Sequence, residues 1–364
     1  MPQGHEKSIT QRAARPRPKG PPAAAGGTGP HVRIRDVADR AGVSVATVSR
    51  VLNGADSVAP EYRDKVLAAV EALGYRPNRL ARNLRRQGAE MIGLVVSDIE
   101  NPHFAQMVRA AEDEAYRRGY RVLLCNTDES PEKQAAYLEV LAGERVRGVI
   151  LAPSDPAGRE ISQLLDLGIP VVAFDRSVRD PRADAVLVQN ARAAELATEH
   201  LLAMGRERIG FIGGPVTTET GRERTAGYEA TMRRHGLTPR VADGAFRIAT
   251  AASAAATLLD AGPLDGLVVA NNLMAIGALE TLRARRIAVP EGIALVAFDD
   301  PFWADVVQPA LTTLAQPIRA MVESAIELLL DRISGARGEP ERIVFEFELR
   351  VRESSRAGFQ GQGG

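Results

Sequence analysis

A short segment in the N-terminal quarter of the chain is rich in positive charge and contains few apolar side chains. Residues 76–86 (RPNRLARNLRR) contain five arginines. So short a segment lies below the ~12–15 residues at which even good isolated helices become marginal in water. Guanidinium groups bind phosphate oxygens, so we expect the segment to fold when it is held between the phosphates of a nucleic acid. The alternative is that Leu80 and Leu84, four residues apart, pack on the rest of the protein.

A second group of residues suited to nucleic acid lies at residues 44–50. If they form a short helix whose N-terminal end enters the major groove, Val45, Ala46 and Arg50 can face base edges. Arg50 can form a bidentate pair with guanine worth ~1–3 kcal/mol, although a solvated helix arginine is the alternative. The short hydroxyl donors suited to phosphate oxygens are Ser44, Thr47 and Ser49.

Apolar residues at helical spacing between residues 34 and 73 predict three short helices that would position these side chains. A glycine turn at Gly42 ends the first helix, Ser44 is the expected N-cap of the second, and Pro60 begins the third. Three helices of this size, with the first two joined by a tight turn, indicate an all-α helix-turn-helix domain over residues 31–75.

Charge is divided unevenly along the 364 residues. The 46 Lys plus Arg balance the 46 Asp plus Glu, but residues 1–89 hold 16 basic and 7 acidic side chains, a net of +9, which leaves −9 for residues 90–364. The N-terminal end should therefore attract DNA and the remainder should be repelled by it. Residues 1–30 lack a hydrophobic period and are predicted to be a disordered basic tail, either loosely attracted to a polyanion or simply solvated.

Several classes of protein are excluded by what the sequence lacks. A single cysteine, Cys125, allows neither an intrachain disulfide nor a multi-cysteine zinc site, and it is expected to be a small buried hydrophobe. No run approaches 18 apolar residues, and the N-terminus makes a poor secretory signal, so a cytoplasmic protein is expected. Phosphate-loop, H-E-x-x-H and G-x-S-x-G motifs are absent, so we predict no enzyme, no cofactor and no metal site.

Beyond residue 90, short β-branched runs alternate with helical stretches. These repeated strand–helix units predict parallel sheets covered by helices on both faces, and about 275 residues are enough for two such sheets. The predicted strands are 92–96, 121–124, 148–151, 171–174, 209–212, 267–269 and 295–298, and the predicted helices are 104–118, 131–143, 157–167, 191–204, 222–235, 250–261 and 273–284.

Two subdomains of like architecture create a cleft at the carboxyl ends of their strands, where small ligands usually bind. Polar residues that follow predicted strands are therefore candidates for ligand contacts. Residues 98–104 follow the first strand, Asp175 follows the fourth, and Asp299 follows the last. Because residues at strand ends also cap helices, a structural role stays open for Asp175.

The order of these motifs resembles that of LacI/GalR-family transcriptional regulators over roughly residues 32–355. The motifs are IRDVA at 34–38, AGVSVATVSRVLN at 41–53, GYRPN at 74–78, IENP at 99–102, GIPVV at 168–172, FDD at 298–300, LTT at 311–313 and RVRES at 350–354. The resemblance implies a helix-turn-helix domain, a hinge helix within 76–89, and a periplasmic-binding-protein-like α/β sensor over 90–360. The expected N-subdomain covers about 90–188 and 318–345, and the C-subdomain covers about 189–317 and 346–356.

The same resemblance implies how DNA is bound. The hinge helix would pair with its twin in a homodimer, with Leu84 as a wedge in the central base step of a near-palindromic operator and Ala81 beside it. Arg33 and Ala59 stand where the family usually has capping Thr and Ser, which weakens each helix start by about 1 kcal/mol. The implied DNA-binding residues are Ser44, Val45, Ala46, Thr47, Ser49, Arg50, Asn53, Asn78, Ala81 and Leu84.

The resemblance also implies a small-molecule effector, such as a sugar, in the cleft. Arg224 matches the arginine that grips effector oxygens, and Asn271 and Asp299 match residues that bond sugar hydroxyls. An ion pair is the structural alternative for Arg224 and Asp299, a helix cap for Asn271, and an ordinary surface position for His103. The implied effector-binding residues are His103, Phe104, Asp175, Arg224, Phe246, Asn271 and Asp299, with Trp303 as another candidate for the stacking platform beside Phe246.

The predicted function is a ligand-responsive, homodimeric DNA-binding regulator, most simply a repressor. Effector binding would rotate one subdomain against the other and alter the spacing of the paired hinge segments. Asn272, Arg206 and Gln189 replace an Asp, a His and an Asp common in the family, which favours an acidic or phosphorylated effector. A solute-binding receptor of the periplasmic type is the alternative, and inducer and corepressor both stay open.

Overall fold

A computed structural model describes residues 32–52, 58–75, 90–336 and 338–356. The chain forms two compact units, Met1–Arg85 and Arg86–Gly364. The predicted basic tail at 1–30 and the predicted hinge at 76–89 lie outside the described residues.

The first unit contains the three predicted helices, α1 (Ile34–Ala41), α2 (Val45–Leu52) and α3 (Pro60–Leu73). Gly42 ends α1 at a φ of 69°, in the left-handed region that glycine adopts without steric cost. The apolar faces of the helices meet in a small core. Its buried members are Val37, Ala38, Ala41, Val48, Val51, Val66 and Ala69.

The beginnings of these helices differ in how their free N–H groups are bonded. The Ser44 hydroxyl accepts the backbone N–H of Thr47 at 3.1 Å, which confirms the predicted N-cap of α2. Neither Arg33 nor Ala59 caps its helix with a side chain. At α1 the Asp36 carboxylate accepts the Arg33 N–H at 2.7 Å, so half of a capping box remains.

The second unit has two lobes, of which the N-lobe comes first. Its sheet has the strand order β11-β5-β4-β3-β1-β2, with every pairing parallel. Its elements are β1 (Met91–Val96), α4 (Pro102–Arg117), β2 (Arg121–Asn126), α5 (Pro131–Gly143), β3 (Val149–Leu151), α6 (Arg159–Asp166), β4 (Val171–Phe174), β5 (Asp184–Val188), α11 (Ile318–Ser334) and β11 (Arg342–Phe345).

The C-lobe has a second six-stranded sheet in the order β12-β10-β9-β8-β6-β7, in which only the edge strand β12 runs antiparallel to its neighbour. Its elements are α7 (Asn190–Ala203), β6 (Ile209–Gly213), α8 (Glu219–Arg234), β7 (Arg240–Asp243), α9 (Ile248–Asp260), β8 (Gly266–Val269), α10 (Asn272–Ala284), β9 (Ala294–Phe298), β10 (Thr312–Ala315), β12 (Glu348–Arg350) and a 3₁₀ helix (Glu353–Ser355). The chain passes between the lobes after β5, β10 and β11.

Each lobe has its own apolar core. In the N-lobe the core residues cover both faces of the sheet, and in the C-lobe they surround the sheet. In the C-lobe, α8 approaches α7 so closely that a Cβ at Gly227 would lie 2.1 Å from the Ala191 carbonyl oxygen. The seven predicted strands and the alternating helices are confirmed. The five strands that the pattern missed are β5, β7, β10, β11 and β12.

Candidate functional site

Two aspartates occupy equivalent positions in the two lobes. Asp175 directly follows β4 and Asp299 directly follows β9, and each of these strands is third in the order of its sheet. Both residues have a positive φ, 65° and 66°, which is costly for a residue with a Cβ. Both line a cavity of about 460 Å³ between the lobes, called here the cleft cavity.

The structure brings all seven candidate effector residues to this cavity, although they come from distant parts of the chain. A role for them in effector binding stays a prediction. The seven lining residues are His103, Phe104, Asp175, Arg224, Phe246, Asn271 and Asp299.

His103 lies between the two aspartates. Its Nε2 is 3.7 Å from Oδ1 of Asp175, and its Nδ1 is 3.8 Å from Oδ1 of Asp299. The side chain is only 4% exposed, so the alternative of an ordinary surface histidine is wrong. Neither ring nitrogen has a hydrogen-bond partner among the described residues, and the ring meets Phe104 edge-on with 5.0 Å between centroids.

Arg224 is buried and points its guanidinium into the same cavity. Nε donates to Asn190 Oδ1 at 2.8 Å, Nη1 donates to the Ala270 carbonyl at 2.6 Å, and the group lies 4.4 Å above the Phe298 ring. Burial lowers the pKa of Arg224 from its ordinary value, although nearby carboxylates oppose this shift. Within the described residues Arg224 forms no ion pair with a carboxylate at 4 Å or less, so Nη2 remains available to a ligand.

Asp299 is held in place by two side-chain amides. Asn272 donates to Oδ2 at 3.1 Å, and Gln316 donates to Oδ1 at 2.9 Å. The same Asn272 amide donates to Asn101 Oδ1 at 2.8 Å and thereby joins the C-lobe to the N-lobe. Asn272 therefore takes part in a structural bridge at the base of the cleft.

Asn271 and Phe246 complete the C-lobe wall. The Asn271 side-chain oxygen Oδ1 accepts the Met274 N–H at 2.7 Å, so this residue caps α10 while it lines the cavity. Phe246 packs against Gly214, where a Cβ would lie 2.1 Å from the Phe246 ring. Trp303 packs on the C-lobe core and is not part of the cavity lining, which leaves Phe246 as the C-lobe aromatic available for stacking.

Two further arginines line the cavity and were not predicted. Arg176 donates from both terminal nitrogens to the Glu129 carboxylate at 2.6 Å. Burial is the largest influence on its pKa and lowers it, but the carboxylates of Glu129, Asp175 and Glu219 together raise the pKa of Arg176 above its ordinary value. Arg247 reaches from the C-lobe to Asp128 at 3.1 Å and Asp98 at 3.8 Å. Both arginines are thus already paired with carboxylates, whereas Arg224 is not.

Two of the three residues that suggested an acidic effector lie outside the cleft cavity, whereas the third, Asn272, is hydrogen-bonded to Asp299. Arg206 Nη2 donates to the Pro290 carbonyl at 3.0 Å, and Gln189 Nε2 contacts Glu346 Oε1 at 3.5 Å. Neither lines the cleft cavity. The substitutions at Arg206 and Gln189 therefore do not change which side chains line the cavity.

In the first unit, α2 presents one polar face to solvent. Ala46 and Arg50, four residues apart, are both exposed, whereas Val48 and Val51 are buried in the core. Val45 packs partly on that core, so only part of its side chain faces outwards. Ser44 is exposed, and Thr47 and Ser49 are half-buried. The candidates outside the described residues are Asn53, Asn78, Ala81 and Leu84.

Comparison with known proteins defines the class as a helix-turn-helix regulator joined to a periplasmic binding protein-like domain. The family model "Bacterial regulatory proteins, lacI family" matches residues 33–78, and "Periplasmic binding protein-like domain" matches residues 198–355. A ribose operon repressor of Halalkalibacterium halodurans is 37% identical over 326 residues, which cover 89% of this chain and 97% of that protein.

Solved structures also match this chain over most of its length. A transcriptional regulator CelR–cellobiose complex is 33% identical with a TM-score of 0.68, covering 89% of this chain and 99% of its own. A lac repressor dimer bound to operator and the anti-inducer ONPF is 27% identical with a TM-score of 0.79, covering 90% and 99%.

The chain belongs to the lacI family of bacterial regulatory proteins. The predicted family, fold class and function as a ligand-responsive DNA-binding regulator are confirmed, and the alternative of a pure solute receptor is not supported. These similar proteins are regulators rather than enzymes. No helix among the described residues is both long and apolar enough to cross a membrane.

Proposed function

We propose that the chain is a homodimeric, cytoplasmic repressor that binds a near-palindromic operator through α2 and is controlled by a neutral sugar in the cleft cavity. The ribose operon repressor and the cellobiose complex support a sugar effector, and the operator-bound lac repressor dimer supports the mode of DNA binding. Each protomer would read one half-site.

The observation that carries the sugar assignment is the pair of carboxylates at the centre of the cavity. Asp175 accepts no hydrogen bond through its side chain from any described residue, and Asp299 is oriented by two amides. Both carboxylates can therefore accept hydrogen bonds from the hydroxyl groups of one sugar ring, and Arg224 Nη2 can donate to another oxygen of the sugar. Phe246 offers an apolar surface to the face of the ring.

The charge of the cavity favours a neutral ligand over an anionic one. The lining contains four carboxylates and three arginines, a net of −1. Two of the arginines are paired with carboxylates, and the third is partly satisfied by an amide and a carbonyl oxygen. A phosphate placed here would face Asp175 and Asp299 with few guanidinium N–H groups left to bind it.

An effector bound between the lobes would act by favouring one arrangement of the lobes over the other. To change operator occupancy from 99:1 to 1:99, it must prefer one state by roughly 5.5 kcal/mol. The change in the arrangement of the lobes would be transmitted to the DNA-binding helices through the spacing of the two hinge segments in the dimer. Both induction and corepression are compatible with this scheme.

The test of the sugar assignment is calorimetric titration with D-ribose and with D-ribose 5-phosphate. D-ribose should bind, and its phosphate should bind at least about tenfold more weakly because of the two central carboxylates. Tighter binding of the phosphorylated sugar would contradict a neutral effector.

The DNA assignment is tested separately by selecting genomic fragments that the protein binds. Selected fragments should share a near-palindromic sequence, and affinity for them should fall steeply as salt rises because phosphate contacts release counterions. Recovery of fragments with no common sequence would contradict operator recognition.

A further inference from the structure

A short hydrogen-bonded contact joins the two lobes beside residues that line the cleft cavity. The backbone N–H of Ser177 donates to Glu219 Oε2 at 2.6 Å, and the Ser177 hydroxyl donates to the same oxygen at 2.8 Å. Ser177 belongs to the N-lobe, and Glu219 is the first residue of α8 in the C-lobe. The contact therefore joins the lobes directly.

Each end of this contact is connected to a group that lines the cavity. On the N-lobe side, Ser177 lies two residues after Asp175, in a turn where the Arg176 N–H donates to the Phe174 carbonyl at 2.7 Å. That turn keeps Asp175 at a φ of 65°, a conformation that persists only where surrounding contacts hold it. On the C-lobe side, α8 carries Arg224, five residues after Glu219.

A second contact between the lobes is of a weaker type. There Arg247 pairs with Asp128, but both side chains are 46% exposed, so solvent and salt screen the attraction. Ser177 and Glu219 are only partly exposed, and one carboxylate oxygen accepts two donors. Charge-assisted hydrogen bonds of this kind are shorter and stronger than neutral ones. The Ser177–Glu219 contact should therefore contribute more than the Arg247–Asp128 pair to keeping the lobes together.

We propose that Glu219 is a positioning residue that clasps the cleft closed through Ser177 and thereby holds Asp175 against the bound effector. The role in effector affinity rests on the proposed function, whereas the clasp itself concerns only the relation of the two lobes. Loss of the clasp shifts the effector-free protein towards a more open cleft, so the ligand dissociates faster.

The clasp can be tested without any ligand by measuring the separation of the lobes. Cys125 is the chain's single cysteine and is buried, so spin labels can be attached selectively to Ala136→Cys on α5 and Thr250→Cys on α9, both at exposed positions. In this doubly labelled full-length protein, Glu219→Ala should lengthen and broaden the distance distribution measured by pulsed dipolar spectroscopy.

Graded and matched variants separate a clasp from a general loss of stability. Glu219→Gln retains an oxygen that can accept both donors but loses the charge, and Ser177→Ala removes one donor, so both should give distributions between those of the parent and of Glu219→Ala. Glu229→Ala removes from the same helix a carboxylate whose one ion pair, in the part of the chain that the structure describes, is with Arg233, and it should leave the distribution unchanged. If Glu219→Ala and Glu229→Ala gave the same distribution, the clasp would be refuted.

The effect on affinity is measured with D-ribose by calorimetry and by stopped-flow dissociation. Glu219→Ala should bind about tenfold more weakly, mainly through a faster dissociation rate, and Glu219→Gln should show a smaller loss because it keeps the acceptor oxygen without the charge. If the parent protein binds no D-ribose, the assignment of that sugar fails while the distance measurement still decides the clasp. Unchanged D-ribose affinity in Glu219→Ala would overturn the positioning role.

Discussion

At the residue scale, Arg224 shows why a planar guanidinium differs from any other cation. Its Nε and Nη1 donate to Asn190 and the Ala270 carbonyl, and Nη2 has no hydrogen-bond partner among the described residues. A single ammonium group cannot reproduce three donors in this fixed arrangement. The side chain thus joins α7 to the end of β8 through hydrogen bonds and, in the proposed function, also binds the effector.

Arg224→Lys should therefore abolish the effector response and destabilise the protein. Leaving one or two buried acceptors without donors costs about 1–3 kcal/mol each. Calorimetry with D-ribose and urea unfolding would measure the two effects. Operator affinity without ligand should be retained; an intact ligand response in Arg224→Lys would exclude Arg224 as a ligand contact.

A second prediction at the residue scale concerns pH. Burial lowers the pKa of His200 below its ordinary value of 6.5, and its Nε2 lies 2.7 Å from the Ser355 hydroxyl. The unfolded chain then binds more protons than the folded chain as pH falls through that ordinary value. The free energy of unfolding should accordingly decrease as the pH falls. The contribution of neutral His200 to stability is complete only above the pKa that this histidine has in the unfolded chain.

His200→Asn removes the titrating group and should flatten this dependence. Urea unfolding of both proteins between about pH 7.5 and about pH 5.5 provides the comparison. His235→Asn serves as the control because it also removes one histidine from the C-lobe. Equal slopes for the parent and His200→Asn would show that other groups cause the pH dependence.

The sequence predicted the strand-end residues of the site well but missed residues whose role depends on their partners. Asp175 and Asp299 follow runs of buried strand residues, so pattern alone placed them at the cleft. Arg176 follows Asp175 directly, yet its pairing with Glu129 depends on a turn after another strand. Gln316 follows β10, whose two threonines gave no apolar signal.

At the element scale, three of the five missed strands share a physical cause. β7, β11 and β12 lie at sheet edges and bury only alternate residues partially, so they lack the continuous apolar run of an internal strand. β5 begins with Asp184, which binds Arg332 across the lobe and interrupts the apolar pattern. Central strands could be predicted because burial on both faces requires apolar residues throughout.

The helix beginnings of the first unit provide a prediction at this scale. Ala59 has φ −56° and ψ 141°, close to the backbone conformation of an N-cap, but its side chain cannot accept an N–H. Ala59→Ser should supply that acceptor and stabilise α3 by about 1 kcal/mol. Hydrogen exchange of the α3 amides in the full-length protein would detect the gain as slower exchange.

A matched exposed position on the same helix controls for the chemical change. Ala72→Ser lies inside α3, where serine lowers helix propensity, so exchange there should be unchanged or faster. Equal protection in Ala59→Ser and the parent would indicate that solvent already satisfies the first-turn N–H groups.

At the scale of the whole molecule, the formal net charge of zero is the sum of a positive and a negative part of the chain. The +9 of residues 1–89 and the −9 of residues 90–364 differ in what they can contribute to DNA binding. General attraction arises from the basic end and should be screened by salt, whereas operator preference needs base contacts from α2. Affinity and specificity should therefore be separable by mutation.

Arg50→Ala should remove operator preference while it leaves much of the general affinity for DNA. Arg50 is exposed on the same face of α2 as Ala46, and a bidentate arginine–guanine pair contributes ~1–3 kcal/mol of discrimination. Arg40→Ala removes an equal charge from α1 and should weaken binding to selected and random fragments alike. Fluorescence anisotropy across a salt series measures both affinities. Because a base reader acts only on its own sequence, a uniform loss in Arg50→Ala would identify Arg50 as a phosphate contact instead, and α2 would then read its operator through other residues.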